Sequence, residues 1–510
     1  MAKEHRQHLE VFSPIGGLKP DTPSTMLKNE ETPDCENVLF LDNVVRGDRA
    51  FFSFNDLTLT GTPQLVKLVN GKVFFHTTSR LSYWDGTSLT NLNTSLSGLA
   101  ADIPSSVYFD DLYIVTNNHK NAIKTWDFSA STLSDLGITE TAGYLNVFGE
   151  RLCFYDIKSG GNSYPRQVLW SVLGDPADIS GTGAGFQDLS SMMRHDDTIM
   201  LAEPLGQQMI IYGRQSIASQ EYTGNTNAPF FFAPLVPDVG LQAKRAFLNL
   251  EGRMHIFLGR DNIYVFQGGR EVTPISEDIQ SDLFSHINGD YITLSHFVYY
   301  PIDNALRLYY PRDTSTITDH YYEYSFKYQN WSRGERTVLA SGEFLGTTAT
   351  IWDTFTGSWD DLLDDYGEDA GLQWDSFVPG SQQKNLVVTG ANLVKEENSR
   401  LGCYSSGSRW ETKDFQPNPL YGQDVTHWLS LTFETKQTGL TVYYSTDSGL
   451  TWTSVASLDS TTDWTTQKLD LMLHSKKIRF RFSASTASGF WLRYFSLGFV
   501  RSTDRASQAE

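Results

Sequence analysis

Between Thr350 and Ser376 the chain carries a run of carboxylates and no Lys or Arg: Asp353, Asp360, Asp361, Asp364, Asp365, Glu368, Asp369 and Asp375. Side chains of this type can do two kinds of chemistry. Two carboxyls facing each other across a cleft hydrolyse glycosides, and several converging on one point hold Ca²⁺. The spacing speaks against the second, because the ordered ligand positions of an EF-hand loop and its sixth-position Gly are missing. Like charges repel and seek water, so the stretch reads as a solvated, partner-facing loop. No metal site and no cofactor are expected.

The sharpest local pattern is Ser445-Thr446-Asp447-Ser448-Gly449-Leu450-Thr451-Trp452. It resembles the S-x-D-x-G-x-T-W Asp box of sialidase-like propellers. Its physics is that of a hairpin turn: Asp447 accepts bonds from turn amides, Gly449 takes positive φ, and Trp452 packs beneath. A sialidase would also need an arginine cluster, a Tyr nucleophile and an acid, and no such set assembles here. Ser445, Asp447, Gly449 and Trp452 are therefore expected to form a structural turn.

Other candidates are weaker. His195-Asp196-Asp197 offers a base beside an orienter, but neighbours on a strand point to opposite faces. Gly181-Thr182-Gly183-Ala184-Gly185 is followed by no Lys and opens no helix, so it is not a phosphate loop. Nucleophile elbows, HExxH and CxxC patterns are missing, and the sequons at Asn93 and Asn330 occur without a signal peptide. Cys35, Cys153 and Cys403 are odd in number and far apart, which suits reduced, buried thiols better than disulfides or zinc. No catalytic residue is assigned, and the chain is expected not to be an enzyme.

The elements that must carry these residues are legible in composition and period. A length of 510 residues exceeds one ordinary core and implies two or more domains. Aromatics reach 13%, with 31 Phe, 24 Tyr and 12 Trp, favouring an all-β chain. The net charge of −20 lacks the Lys and Arg surplus needed to grip nucleic acid through its phosphates. The start, Met1 to His8, has no apolar core of a secretory signal. No apolar run reaches the roughly 18 residues that span a bilayer. Synthesis in the cytoplasm without a membrane anchor is expected.

From about Phe52 to Trp331 a unit repeats: an apolar strand, a tight turn, a second apolar strand, and an aromatic closing strand. The turns fall at Asn70-Gly71, Asp110-Asp111, Gly149-Glu150, Gly206-Gln207, Glu251-Gly252 and Asp303-Asn304. Asn-Gly between alternating apolar runs is a strong hairpin signal, and a spacing of roughly 40–57 residues is that of propeller blades. The fold expected is all-β: a propeller of about six blades with a C-terminal β-sandwich. A seventh unit could include Asn385 to Val394. The boundaries are 1–50, an extended N-terminal arm with Pro14, Pro20 and Pro23; 51–345, the propeller; 346–400, an acidic Trp-Asp linker that could complete it; and 401–510, the sandwich. The last rests on period-two strands such as Trp428–Thr435, Leu440–Tyr444, Lys477–Phe482 and Phe490–Val500.

Several phrases in order resemble the propeller-containing tail hub, or nozzle, proteins of short-tailed bacteriophages, of the packaged-DNA stabilisation type. They are Ile15-Gly16-Gly17-Leu18 with Glu36-Asn37-Val38 and Val45-Arg46-Gly47; Trp170-Ser171 with Gly174-Asp175-Pro176; Ile210 to Ile217; and Phe297–Tyr300, Leu306–Tyr310, Tyr322–Tyr324 and Asn330-Trp331. Asp48 stands where the first turn of such proteins often has Pro or Gly. The resemblance implies a virion structural protein: a homo-oligomeric ring, of six copies, below the portal and its adaptor ring. Tail fibre, spike or needle proteins would be its further partners. Packaged DNA would be retained above the ring and ejected through it without sequence-specific binding, and an acidic chain suits such sliding. The competing reading is a carbohydrate-binding or glycan-degrading propeller at the tail tip, whose aromatics would stack on sugars. An intracellular scaffold propeller is disfavoured, because its blades should repeat more regularly.

Overall fold

Tight turns set the layout. The computed structural model describes residues 7–93, 96–346, 382–403, 407–417, 425–437, 439–484 and 490–501. Each of the six turns named above joins the first and second strands of a small antiparallel sheet. Asn70 and Gly71 have φ of 48° and 73°, and Asp110 and Asp111 have 51° and 57°. These left-handed values give a two-residue hairpin the twist of its strands.

Seven four-stranded antiparallel sheets are present among the described residues, so the chain is almost wholly β. Sheets 1 to 6 each follow chain order, within 63–93, 105–135, 141–188, 199–237, 247–274 and 296–335. Sheet 7 consists of Val338–Gly346, Gln382–Thr389, Leu393–Cys403 and, as its outer strand, Arg49–Thr58 from the other end of the chain. The acidic run 353–375 lies outside the described residues.

A sheet this small cannot bury both faces alone, and here apolar side chains fill each junction between successive sheets, the one between sheets 5 and 6 being continuous with the core of the two larger sheets described below. Phe74, Tyr113 and Trp126 join sheets 1 and 2. Ile114, Leu145 and Phe154 join 2 and 3, Tyr155, Ile211 and Phe232 join 3 and 4, and Tyr212 and Phe257 join 4 and 5. Leu258 and Leu308 join 5 and 6, and Tyr309 and Val387 join 6 and 7. Val66, Phe75, Ala340 and Leu386 then join sheet 7 to sheet 1, so the series closes on itself.

Two larger sheets stand beside it. One has Thr461–Ser475, Thr426–Gln437, Phe490–Arg501, Val44–Gly47 and Val38–Leu41 in that order, with Gln7–Phe12 also on Phe490–Arg501. The other has Thr453–Ser457, Leu440–Ser445, Arg479–Ala484, Ser408–Glu411 and Cys35–Glu36. They face each other through one apolar core, where Phe433 lies 5.2 Å from Phe482 and Trp410 lies 6.0 Å from Phe495. From Gln7 on, the segment expected as an extended arm is thus a set of short strands shared between three sheets. Its turn, Asp42-Asn43, has φ of 51° and 61° and makes a hairpin. Strands of two to six residues, of which Gln7–Phe12 and Cys35–Glu36 pair only with strands hundreds of residues away, leave little periodicity to read.

Where that segment enters sheet 7, charges are buried. Arg307 donates to Asp48 at 2.6 Å and to Glu323 at 2.8 Å. Arg49 reaches Glu323 at 2.5 Å and Asp303 at 2.7 Å, and Arg336 lies 3.2 Å from Asp48. Tyr300, Tyr321 and Phe51 flank the guanidiniums at 3.7, 3.8 and 4.0 Å. Burial opposes the charge on Asp48, but Arg307 and Arg336 outweigh it and hold the carboxyl well below the usual range. Three cations meet three anions, which is the condition under which buried ions are tolerated. Removing one partner strands the rest. Arg307→Met is expected to lower unfolding free energy by about 3–5 kcal/mol, read as a shift of the urea midpoint; a shift worth under about 1 kcal/mol would mean the network is dispensable.

Candidate functional site

The centre of the closed series is where first strands from different sheets converge, and their polar side chains meet there. Glu203 of sheet 4 accepts a hydrogen bond from the Tyr144 hydroxyl of sheet 3 at 2.6 Å. Lys67 of sheet 1 donates to the Ser106 carbonyl of sheet 2 at 2.5 Å. Burial raises the Glu203 carboxyl and lowers the Lys67 ammonium from their ordinary values. Burial disfavours the charged form of each group, which is why the two shifts run in opposite directions.

The end of this centre where the first strands begin is bridged by the chain itself. Lys244 and Arg245 precede the first strand of sheet 5 and reach different ways. Lys244 donates to the Gly143 carbonyl at 2.7 Å and to Asn118 Oδ1 at 3.1 Å, in sheets 3 and 2. Arg245 donates to the carbonyls of Gln64 at 2.7 Å, Leu339 at 2.9 Å and Leu294 at 2.7 Å. Two adjacent residues therefore bond to the first strands of sheets 1, 3 and 7, a loop of sheet 2 and the approach to sheet 6. Burial pulls Lys244 down to about 8 and Arg245 to about 10. Beside them, His119 Nε2 lies 3.0 Å from Asp156 Oδ2 and its Nδ1 lies 3.0 Å from Thr141 Oγ1.

Further polar pins join second strands to second or third strands across junctions. His76 Nε2 lies 2.7 Å from the Tyr113 hydroxyl, which donates to Ser106 Oγ at 2.9 Å. His255 Nδ1 lies 2.8 Å from the Tyr212 hydroxyl, and Tyr155 donates to Gln220 at 2.8 Å. Most of the donors and acceptors named here are engaged with the protein's own groups, while Arg245 Nε and His296 Nε2 are buried without a hydrogen bond among the described residues. What the arrangement does chemically is hold neighbouring sheets in register.

The residues flagged in the sequence lie elsewhere. Ser445, Asp447, Gly449 and Trp452 form a turn in the five-stranded sheet. Ser445 Oγ donates to Asp447 at 2.6 Å and accepts from the Gly449 amide at 2.8 Å, and Asp447 accepts the Thr451 amide at 2.9 Å. Hydrogen bonds from Ser445 and Thr451 hold the Asp447 carboxyl well below its usual range. The Arg481 guanidinium lies 4.0 Å from the centre of the Trp452 ring, and Arg479 beside it pairs with buried Asp414 at 2.9 Å. The turn therefore caps an ion cluster inside the domain. His195 and Asp196 are almost fully exposed, whereas Asp197 is buried and accepts the Ser216 hydroxyl at 2.5 Å. The Gly183 carbonyl accepts Trp170 Nε1 at 3.1 Å, so the glycine run serves packing. Cys35 and Cys153 are buried, and burial pushes both thiols up to about 12. Among the described residues no group of three His, Cys, Asp or Glu is gathered to hold a metal ion. No helix among them is long and apolar enough to cross a membrane.

No protein-family model matches the chain, and no curated protein matches it. Among solved structures it is similar to the N-terminal domain of Nup159, with 8% identity over 68% of this chain and 92% of that one, at a TM-score of 0.37. It is also similar to an exo-beta-1,3-galactanase from Phanerochaete chrysosporium, with 11% identity over 88% and 98%, at a TM-score of 0.27. A third is the computationally designed Ika8 protein, with 8% identity over 68% and 98%, at 0.34. The architecture rests on the sheet order and junction cores above, not on these likenesses.

Two outcomes follow. Burial, with Lys67 adding to it at His76, holds His76 down to about 3 and His255 to about 4. The unfolded chain takes up these protons near pH 6.5, so it binds more protons than the folded state below that pH. Stability is therefore full above pH 6.5 and falls as the pH drops towards 4. Urea midpoints measured from pH 7 to pH 4 should decline, and His255→Asn should flatten the slope; an unchanged slope would contradict the assignment. Separately, Gly449 has φ of +88°, and an added Cβ would sit 3.0 Å from Arg479 Nη1. Gly449→Ala should cost about 1–3 kcal/mol, seen as a lower melting temperature; no loss would show that the turn relaxes freely.

Proposed function

We propose that the chain is a structural, non-enzymatic virion protein of the phage tail hub or nozzle type, assembling as a ring that retains packaged DNA and forms its exit channel. In this reading the seven small sheets are the blades of a seven-bladed β-propeller whose last blade is closed by Arg49–Thr58. The two larger sheets are a β-sandwich completed by N-terminal strands.

One observation carries the reading. Two of the phrases that resemble such proteins, the first and the end of the last, lie some 300 residues apart and meet in one seam. The Ile15 carbonyl accepts a bond from the Asn330 side chain, and a Cβ on Gly17 would lie 2.5 Å from Asn330 Cβ. The Asn37 amide donates to the Arg333 carbonyl at 3.0 Å, and Asn37 Oδ1 accepts the Glu335 amide at 2.9 Å. Chance similarities would have no reason to converge on one junction. Two further facts fit. The Lys244–Arg245 bridge across the axis suits a rigid wall better than the glycan-degrading alternative, which needs carboxylates across an open cleft. The net charge of −20 suits a surface past which DNA slides.

Negative-stain images and mass photometry of the purified chain, alone and with an adaptor ring, test the proposal. A closed annulus of six copies is expected. Monomers under both conditions at micromolar concentration would overturn it.

A further inference from the structure

The outer face of the six-stranded sheet holds a cavity of about 760 Å³ that no part of the ring reading uses. Its size lies inside the roughly 300–1,000 Å³ of small-ligand sites. Strand alternation builds it. Phe433 and Phe495 point into the core, so Glu434 and Tyr494 beside them point out. Register then aligns Thr466, Glu434, Tyr494 and Phe12 in one row across four strands. The next row pairs Lys436 with Trp491, and Trp491 with Arg46.

The floor is polar and preorganised. Arg493 Nε donates to Glu434 Oε2 at 2.8 Å, and a second bond joins Arg493 Nη2 to Glu434 Oε1. The Arg493 guanidinium is also stacked 4.4 Å from the centre of the Trp464 ring. The walls are half-exposed aromatics: Trp464, Trp491 and Tyr494, with Phe12 at 4.9 Å from Tyr494. At the rim stand Asp42 and Asn43 of the exposed N-terminal hairpin turn.

From this geometry we infer that the groove binds a neutral saccharide. Flat rings offer platforms for the C–H faces of a sugar, and a fixed guanidinium–carboxylate pair presents donors and acceptors side by side, which suits adjacent hydroxyls. The charges decide between ligand classes. Among the lining residues Arg46 and Arg493 balance Asp42 and Glu434, and Lys436 is held over the Trp491 ring at the edge, so an anion gains little, and an apolar ligand would bury the ion pair without replacing its water. The inference does not rest on the ring proposal; a monomer would keep this groove.

Isothermal titration of the full chain with malto-, cello-, xylo- and mannohexaose, and with oligogalacturonate as an anionic arm, tests it. Binding of at least one neutral hexasaccharide is expected, weakened about tenfold or more by Trp464→Ala at unchanged melting temperature. Thr466→Arg, which fills the groove from an exposed position, should abolish binding without removing an aromatic ring. No heat with any neutral sugar, binding of oligogalacturonate alone, or binding untouched by both variants would overturn the inference.

Discussion

A set of buried guanidiniums and carboxylates ties residues 48 and 49 to residues 303–336, and the rest of the architecture depends on it. The strand Arg49–Thr58 has few apolar anchors: Phe54 packs on Trp84 at 4.9 Å, while most of its side chains are half or fully exposed. A strand patterned this weakly could slip by two residues and keep its faces. Such a slip would pull Asp48 and Arg49 away from Arg307, Glu323 and Asp303 and leave charges unpaired in a dry site. The network thus supplies register where hydrophobic alternation does not, and register at this strand decides whether sheet 7 is completed.

Completion matters because every small sheet is stabilised by its neighbours. Apolar side chains fill each junction, so opening one exposes two faces at once. Hydrogen-bonded pins such as His76–Tyr113 and His255–Tyr212 sit on second strands at these junctions, and Lys244 with Arg245 ties first strands together at the axis. Cross-bracing of this kind produces a stiff body. The outer face of the six-stranded sheet carries the aromatic groove lined by Trp464, Trp491 and Tyr494.

Much of this was legible in the sequence, and the part that was not has a physical reason. The six hairpin turns could be read because left-handed backbone restricts residue choice, as at Asn70-Gly71. The seventh sheet was harder: its first and second strands are separated by the acidic segment, so the turn at Asn392 joins its second and third strands instead. The N-terminal strands escaped because they are short and several pair across the whole chain, which leaves little local period. The ion network did leave a trace. Arg307 and Glu323 interrupt the apolar strands Leu306–Tyr310 and Tyr321–Tyr324, and a charge inside such a run asks for a buried partner. Lys244 and Arg245 lie in a loop before a strand and gave no signal. The turn at Asp447 was legible from its chemistry, and its neighbours Arg479 and Asp414 were not.

The claim that the N-terminal strand completes a closed series can be tested by hydrogen–deuterium exchange followed by mass spectrometry. Amides of residues 49–58 that face Leu393–Cys403 should exchange as slowly as those in the second strands of sheets 1 to 6, and should lose protection together with sheet 1 when Arg307 is replaced. Exchange in this segment at the rate of an exposed loop, with the other sheets still protected, would contradict the account.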